Sequence, residues 1–313
     1  MKTVLVTGGA GFIGSNLAKA LLERGFNVRI LDSLITGKKE NLDGLERAEI
    51  LEGDIRDMET VRKAVDGVHC VFHQAALPSV PRSVKEPVLS NDINIGGTLN
   101  MLVAAADAGV KKFVYAASSS AYGESETLPK VETMAPAPMS PYAVSKLTGE
   151  YYCQVFHKIH GMETVSLRYF NVFGENQDPT SQYSAVIPKF INSIMVGKSP
   201  TIYGDGEQTR DFTYVKDVVA ANILAMENSA RAAGRAINIS RGERVTINML
   251  VDILNEIMGT CIKAEHTEER KGDIKHSLAG ISLARKLLSY EPKFTLKEGL
   301  EETVKFYESK GKS

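Results

Sequence analysis

The chain has 313 residues, room for roughly two domains at about 150 residues each, or one domain with an elaboration. Hydrophobic residues make up 43% and charged residues 24%, enough for sizeable cores, which excludes a disordered, collagen-like or repeat chain. With 37 Lys+Arg against 38 Asp+Glu the net charge is −1, which offers no broad field to phosphate backbones or anionic membranes, so neither nucleic acid nor a membrane is expected as a partner.

Short β-branched runs predict strands over Thr3–Thr7, Asn27–Leu31, Ala48–Glu52, Cys70–His73, Phe113–Ala117 and Thr164–Arg168. Helical patterns lie between them over Gly14–Arg24, Met58–Val65, Asn94–Ala108 and Tyr142–Lys158. Nearly all-apolar strands separated by amphipathic helices imply a parallel sheet covered on both faces, a doubly wound Rossmann-type α/β fold. After Asn171 the rhythm breaks. A polar, turn-rich loop over 174–184 leads to a helix near Ala185–Val196, and a loop over Tyr203–Glu207 leads to a strand at Asp211–Val215. Helices are expected near Asp217–Glu227, Ile247–Met258 and Leu296–Glu308. The expected division is a nucleotide-binding domain over 1–171, joined by 211–240, and a smaller mixed α/β substrate domain over 172–210 and 241–313.

Cys70, Cys153 and Cys261 are far apart and odd in number, so a reducing cytosol is the natural compartment. The apolar run Val4–Val6 is too short for a signal peptide, and no stretch approaches 18 apolar residues. A soluble cytoplasmic protein is expected.

Gly8, Gly11 and Gly14 sit between the first strand and the first helix. They permit a tight turn, close backbone approach to a pyrophosphate, and tight helix-on-strand packing, with the helix-start N–H groups facing the phosphates. Asp32 follows the second strand, 18 residues beyond Gly14, where a carboxylate accepts from both adenosine ribose hydroxyls and repels a 2′-phosphate. NAD rather than NADP is therefore expected. Asp54 ends the third strand, either at the adenine edge or as a plain turn aspartate.

Tyr142 and Lys146 lie four apart on one helix face, and Ser118-Ser119-Ser120-Ala121-Tyr122-Gly123 ends the fifth strand. Together with the glycine loop, this set resembles the extended short-chain dehydrogenase/reductase family over essentially the whole chain. The resemblance makes Tyr142 the base, Lys146 its activator and cofactor-ribose anchor, and Ser118 the partner of the reacting oxygen. A tyrosine near pKa ~10 needs about 4 kcal/mol to reach neutrality. An ammonium about 5 Å away supplies roughly 3 kcal/mol at an effective dielectric of ~20. The resemblance also implies cofactor contacts from Phe12, Ile13, Ser33, Thr36, Gly37, Ile55, Gln74, Ala75, Ala76, Asn94 and Tyr169. Asn94 reads equally well as a helix-start asparagine.

Within that family the chain resembles nucleotide-sugar 4-epimerases. Arg168-Tyr169-Phe170-Asn171-Val172-Phe173-Gly174 is similar to the segment those enzymes place at the nicotinamide and the nucleotide sugar, which implicates Asn171. By the same resemblance Ala185 and Val186 cradle uracil, Arg210 and Arg270 clamp the diphosphate, Asp273 binds the uridine ribose, and Tyr203 lines the substrate site. Related dehydratases and decarboxylases carry acids where this chain has Ser119 and Ser120, so simple epimerisation is expected. Narrow UDP-galactose epimerases place a bulky tyrosine where Ser277 stands. With Ser79 and Arg82 in Ser79-Val80-Pro81-Arg82-Ser83, and with Gln177-Asp178-Pro179, this resembles epimerases of UDP-N-acetylhexosamines, with UDP-glucose and UDP-galactose as further substrates. Arg82 keeps a UDP-uronate 4-epimerase as an alternative, alongside an NAD(P)-dependent nucleotide-sugar reductase and a non-catalytic dinucleotide sensor. Cys153, His157 and His160 share a helix face without a fourth ligand, so no metal is expected. The resemblance implies a homodimer joined through the helices near Asn94–Ala108 and Tyr142–Lys158.

Overall fold

The first strand, β1 (Thr3–Thr7), is buried at every position after its first, as an apolar run must be to lie inside a sheet covered on both faces. A computed structural model describes residues 2–179, 186–269 and 275–311. Helix α1 (Phe12–Glu23) buries Leu17, Ala18, Leu21 and Leu22 as one stripe and returns the chain to β2 (Asn27–Asp32). The edge strand β3 (Glu49–Glu52) is short, largely exposed and bounded by carboxylates, which discourages pairing with another chain. Helix α2 (Met58–Val65), capped by the Asp57 side chain, crosses to β4 (Cys70–His73), buried throughout.

Between β4 and β5 (Lys112–Ser118) lie α3 (Val80–Lys85), α4 (Pro87–Asn91), a π-type turn over Asp92–Gly97, and α5 (Thr98–Asp107). The expected single helix over Asn94–Ala108 is thus divided, and α3 and α4 were not anticipated. A 3₁₀ turn over Ser119–Tyr122 follows β5. Helix α6 (Pro141–His160) starts on Ser140, whose hydroxyl accepts from Ala143 N at 3.1 Å, and stops at Gly161 in the left-handed region. It leads to β6 (Glu163–Tyr169).

The remainder comprises β7 (Val172–Phe173), α7 (Val186–Met195), β8 (Thr201–Tyr203), β9 (Thr209–Arg210), β10 (Thr213–Tyr214), α8 (Val215–Glu227), α9 (Ser229–Ala232) and β11 (Arg235–Ile239). After these come β12 (Val245–Thr246), α10 (Ile247–Met258), β13 (Glu265–Thr267), α11 (Ser282–Leu288) and α12 (Leu296–Gly311). The strand expected at Asp211–Val215 is shortened to β10, Thr213–Tyr214, with β9 ending just before it at Arg210. Thr213 turns its hydroxyl into Phe170 O and Ser240 Oγ, and Val215 already begins α8.

Seven strands form one parallel sheet in the order β11-β6-β5-β4-β1-β2-β3, the Rossmann arrangement. The six N-terminal strands match the sequence pattern. β11 does not, because a five-residue run with no alternation resembles a loop until it is paired with Val165–Tyr169. Alternate residues serve opposite cores: Val4 and Val6 pack under α1 and α8, while Leu5 joins Val71, Phe113 and Tyr115 under α2 and α5. Among the described residues no helix is long and apolar enough to cross a membrane.

The passage from β1 to α1 is tightly packed. A Cβ on Gly14 would stand 2.1 Å from Gly8 O, whereas on Gly11 its nearest neighbour, the same oxygen, is 3.1 Å away. Gly14→Ala should therefore cost about 3 kcal/mol by overpacking, and Gly11→Ala under about 1 kcal/mol. Urea unfolding of both variants checks this, and equal midpoints would refute it.

Candidate active site

The connections leave β1 and β4 in opposite directions, and a crevice opens where the sheet order reverses. Gly8, at φ +71°, closes the turn after β1, and a Cβ there would meet Ala75 N at 2.7 Å, so the loops after β1 and β4 touch. The start of α1 carries no side-chain cap, which leaves N–H groups for an anion. One cavity collects Gly8, Gly11, Phe12, Ile13, Gly14, Asp32, Ser33, Thr36, Gly37, Asp54, Ile55, Gln74, Ala75, Ala76, Tyr142, Lys146 and Tyr169. Leu31, Ile35, Leu77, Pro78 and Ile93 add an apolar lining that the sequence reading did not name.

Asp32 takes one backbone N–H on each oxygen, Ala10 N at 2.9 Å and Leu34 N at 2.8 Å, and each oxygen retains a second acceptor direction for a ribose diol. Asp54 lines the cavity and also holds its own turn, accepting from Arg56 N at 2.8 Å and from the Arg56 guanidinium at 2.6 Å. The guanidinium holds the Asp54 carboxyl below the usual range. These groups fit a dinucleotide. Side chains at Gly8 and Gly14 would strike backbone, the uncapped helix start offers N–H groups to a pyrophosphate, and the carboxylate at Asp32 suits an unphosphorylated ribose.

Asn94 lies behind the cavity wall rather than in it. Its carboxamide accepts from Leu77 N at 2.7 Å and donates to Ser145 Oγ at 3.0 Å, which ties the turn after β4 to α6. It sits in the π-type turn, whose extra residue rotates this side chain inward.

Tyr142 occupies the first turn of α6, where its N–H donates to Ser83 Oγ at 3.0 Å. Burial pushes its phenol up, and a hydrogen bond from Ser118 pulls it back. The Ser118 hydroxyl also accepts from Ser120 N at 3.2 Å and Ser120 Oγ at 2.9 Å. Lys146, 4% exposed, donates to Ala116 O at 2.8 Å and stands 5.2 Å from the Tyr115 ring centroid. Burial pulls its ammonium down to about 8, with Glu150 opposing. Burial dominates at the phenol, with Ser118 opposing it, while Lys146 directs its ammonium to Ala116 O.

Three sets support these residues, two of them through Asn222 and Glu150, which the sequence did not single out. Tyr169 Oη, Gln74 and Asn222 form a closed set at 3.0–3.3 Å. Glu150 receives Arg168 through two hydrogen bonds, at 2.9 and 2.7 Å. His73 is fully buried between Thr7 Oγ1 at 2.7 Å and Thr98 Oγ1 at 2.9 Å. Thr98 gives its hydroxyl hydrogen to Asn94 O at 2.6 Å, which assigns the ring proton to Nε2 and makes Nδ1 the acceptor from Thr7. Thr7 Oγ1 in turn accepts from Ala75 N at 3.2 Å, on the cavity wall. A carboxylate four residues after the lysine was the one legible hint of these groups.

A second cavity, of about 490 Å³, brings together Asn171, Val186, Tyr203 and Arg210, and adds Lys189, Phe190, Asn192, Gln208 and Phe212. Asn171 adopts φ +32° and donates to Asp211 O at 3.1 Å. Arg210 Nη1 donates to Thr209 O at 2.9 Å. Ser277 is half-buried beside β9, its N–H on Thr209 O at 3.1 Å. Ser79 caps α3, accepting from Arg82 N at 3.1 Å, and Arg82 pairs with Glu86 at 2.9 Å. Ser119 and Ser120 lie in the turn after β5. Ala185, Arg270 and Asp273 lie outside the described residues.

Residues 4–240 match the model of the NAD dependent epimerase/dehydratase family, and the chain belongs to that family. NAD is accordingly its cofactor. Among solved structures, the UDP-N-acetylglucosamine 4-epimerase from Methanobrevibacter ruminantium M1, in complex with UDP-N-acetylmuramic acid, is 44% identical with a TM-score of 0.94, covering 99% of both chains. The UDP-glucose 4-epimerase of Thermotoga maritima with UDP-glucose is 39% identical with a TM-score of 0.93, over 98% of this chain and 99% of that one. The UDP-glucuronic acid 4-epimerase of Bacillus cereus, in complex with UDP-glucuronic acid and NAD, is 34% identical with a TM-score of 0.91, over 98% and 99%.

Burial lowers the folded-state pKa of His73 to about 3, from an ordinary 6.5. Between those values the unfolded chain binds a proton that the folded chain refuses, so this residue's contribution falls as pH drops below 6.5, by up to ~1.4 kcal/mol per unit. The stability advantage of wild type over His73→Gln should narrow accordingly between pH 6.5 and 5. The paired comparison cancels other groups, such as Asp211, whose carboxyl burial pushes up to about 6. Urea unfolding at several pH values measures the difference, and a constant gap would count against a neutral buried imidazole.

Proposed function

We propose that the chain is an NAD-dependent UDP-sugar 4-epimerase whose preferred pair is UDP-N-acetylglucosamine and UDP-N-acetylgalactosamine, with UDP-glucose and UDP-galactose as slower substrates. The observation that carries the reading is one cavity holding Tyr142, Lys146 and the glycine cradle, with a second one holding Asn171 and Arg210. In this reading Tyr142 Oη takes the proton of the sugar 4-hydroxyl, Ser118 hydrogen-bonds that oxygen, and Lys146 holds the positive potential beneath it. The glycine cradle and Asp32 would hold NAD, which would supply a reversible hydride acceptor for C4, so the epimerisation would involve no net redox. Arg210 and Arg270 keep the diphosphate engaged while the 4-keto sugar turns over, and Asn171, Tyr203, Val186, Ala185 and Asp273 hold the uridine end. Ser79, Arg82, Ser119, Ser120 and Ser277 border the sugar.

The remaining cofactor assignments follow the cavity lining, and Asn94 acts through the turn it braces. Residues 1–171 with 211–240 serve the cofactor, and 172–210 with 241–313 serve the nucleotide sugar. The 2-acetamido preference is supported by the small residue Ser277 and by the likeness to the Methanobrevibacter enzyme. A uronate substrate is favoured by the likeness to the Bacillus cereus enzyme. Against it, Arg82, the cation assigned to a uronate carboxylate, is already paired with Glu86.

Purified protein incubated with UDP-N-acetylglucosamine should form UDP-N-acetylgalactosamine, read by chromatography of the nucleotide sugars. No conversion with NAD bound would falsify this substrate. Tyr142→Phe should lower turnover about 10²–10⁴-fold with substrate binding largely kept, as expected of a lost general base. Unchanged turnover would remove Tyr142 from that role.

We also propose a homodimer through α6. Val144, Tyr151, Val155 and Ile159 form an exposed apolar stripe along it, with Val84 and Val88 exposed on α3 and α4. Tyr151→Glu combined with Ile159→Glu should convert the dimer to a folded monomer in analytical ultracentrifugation. An unchanged sedimentation coefficient would place the interface elsewhere.

A further inference from the structure

We propose that Glu150 is a positioning residue of this site: its buried carboxylate, gripped by Arg168 one helical turn from Lys146, keeps the Lys146 ammonium charged in the cavity that holds Tyr142. The inference rests on the reading that Tyr142 and Lys146 carry the proton transfer.

Glu150 follows Lys146 by one helical turn on the same face of α6 and is wholly buried. Arg168, on β6, reaches it through Nε at 2.9 Å and Nη2 at 2.7 Å; burial pushes the Glu150 carboxyl up, and this two-pronged grip by a guanidinium opposes that shift and favours the carboxylate. The guanidinium is anchored in its turn. It lies 4.8 Å from the Tyr122 ring centroid, and Tyr122 Oη donates to Asn238 Oδ1 at 2.6 Å on β11. The carboxylate therefore cannot swing away from Lys146 without breaking a fixed array.

Lys146 needs such a neighbour. Its own polar contact is a neutral carbonyl, Ala116 O, and an ammonium removed from water loses far more solvation than one carbonyl returns. The ionisable groups facing it are Tyr142 and Glu150 on α6, His73 on β4, Tyr115 on β5 and, through Glu150, Arg168 on β6. Paired with the Arg168 guanidinium, Glu150 supplies the negative charge of that set, whereas burial raises both phenols and keeps the imidazole deprotonated. A buried ion pair is by itself a weak source of stability, so its value lies with the third charge it serves.

The test is a titration of the Lys146 Cε resonance by ¹³C NMR in protein labelled at lysine, the signal being assigned by its loss in Lys146→Arg. In wild type the midpoint is expected near 8. In Glu150→Gln, and in the double variant Glu150→Gln/Arg168→Met that leaves no unpaired guanidinium, it should fall by about one pH unit or more, while Glu150→Asp stays near wild type. A merely structural pair would lower the melting temperature without moving the midpoint, and an unmoved midpoint in the two neutral variants overturns the proposal. The titration needs no turnover. An unmoved midpoint with intact epimerisation refutes the role of Glu150 alone, and a moved midpoint without epimerisation refutes the activity alone.

Discussion

A single buried cation sets the geometry on which the rest depends. Lys146 leaves water to rest on Ala116 O, and this contact between α6 and β5 fixes how the helix meets the sheet. Because α6 is held there, Tyr142, one turn earlier, lies over the cavity, and Ser118 at the end of β5 comes within its reach. The desolvation of Lys146 is offset by the carbonyl, by the Tyr115 ring and by the Glu150 charge, so the stability of the helix–sheet junction and the chemistry of the site draw on the same groups.

The two walls of the cofactor crevice are braced in a similar way. On one side Gly8, Gly11 and Gly14 bring backbone to backbone. On the other, Thr7, His73, Thr98 and Asn94 form a continuous buried chain that ends on the turn carrying Gln74, Ala75 and Ala76. Every member of that chain has its donor and acceptor matched, the condition under which a buried polar array rigidifies rather than weakens a core. A cofactor held against such walls need not reorganise them, which is what preorganised catalysis requires.

The second cavity shows how the smaller strands serve binding. The pairs β7–β10 and β9–β12 are two residues long and contribute little as sheets. Their effect is to present Asn171 and Arg210 to one space, with Asp211 turned inward to accept from Ala279 N at 3.0 Å. Thus the segment after Lys275 is fastened on one side to β9 and on the other to Lys130, whose N–H donates to Leu278 O at 2.8 Å.

The sequence by itself determined the six N-terminal strands, the glycine turn, Asp32 and the Tyr142–Lys146 face, because these are local: short β-branched apolar runs, a φ that only glycine adopts readily, and a four-residue helical spacing are written in neighbouring residues. Only the tertiary structure decided the seventh strand, since Arg235–Ile239 becomes a strand by lying against β6, some seventy residues away in the chain. The same holds for His73, Glu150 with Arg168, and Asn222 beside Tyr169. Each is an unremarkable residue in the sequence whose role comes from a partner on another element. Acidity of the phenol belongs to this second class as well: spacing placed a lysine near it, but desolvation, which depends on everything packed around the pair, set the direction of the shift.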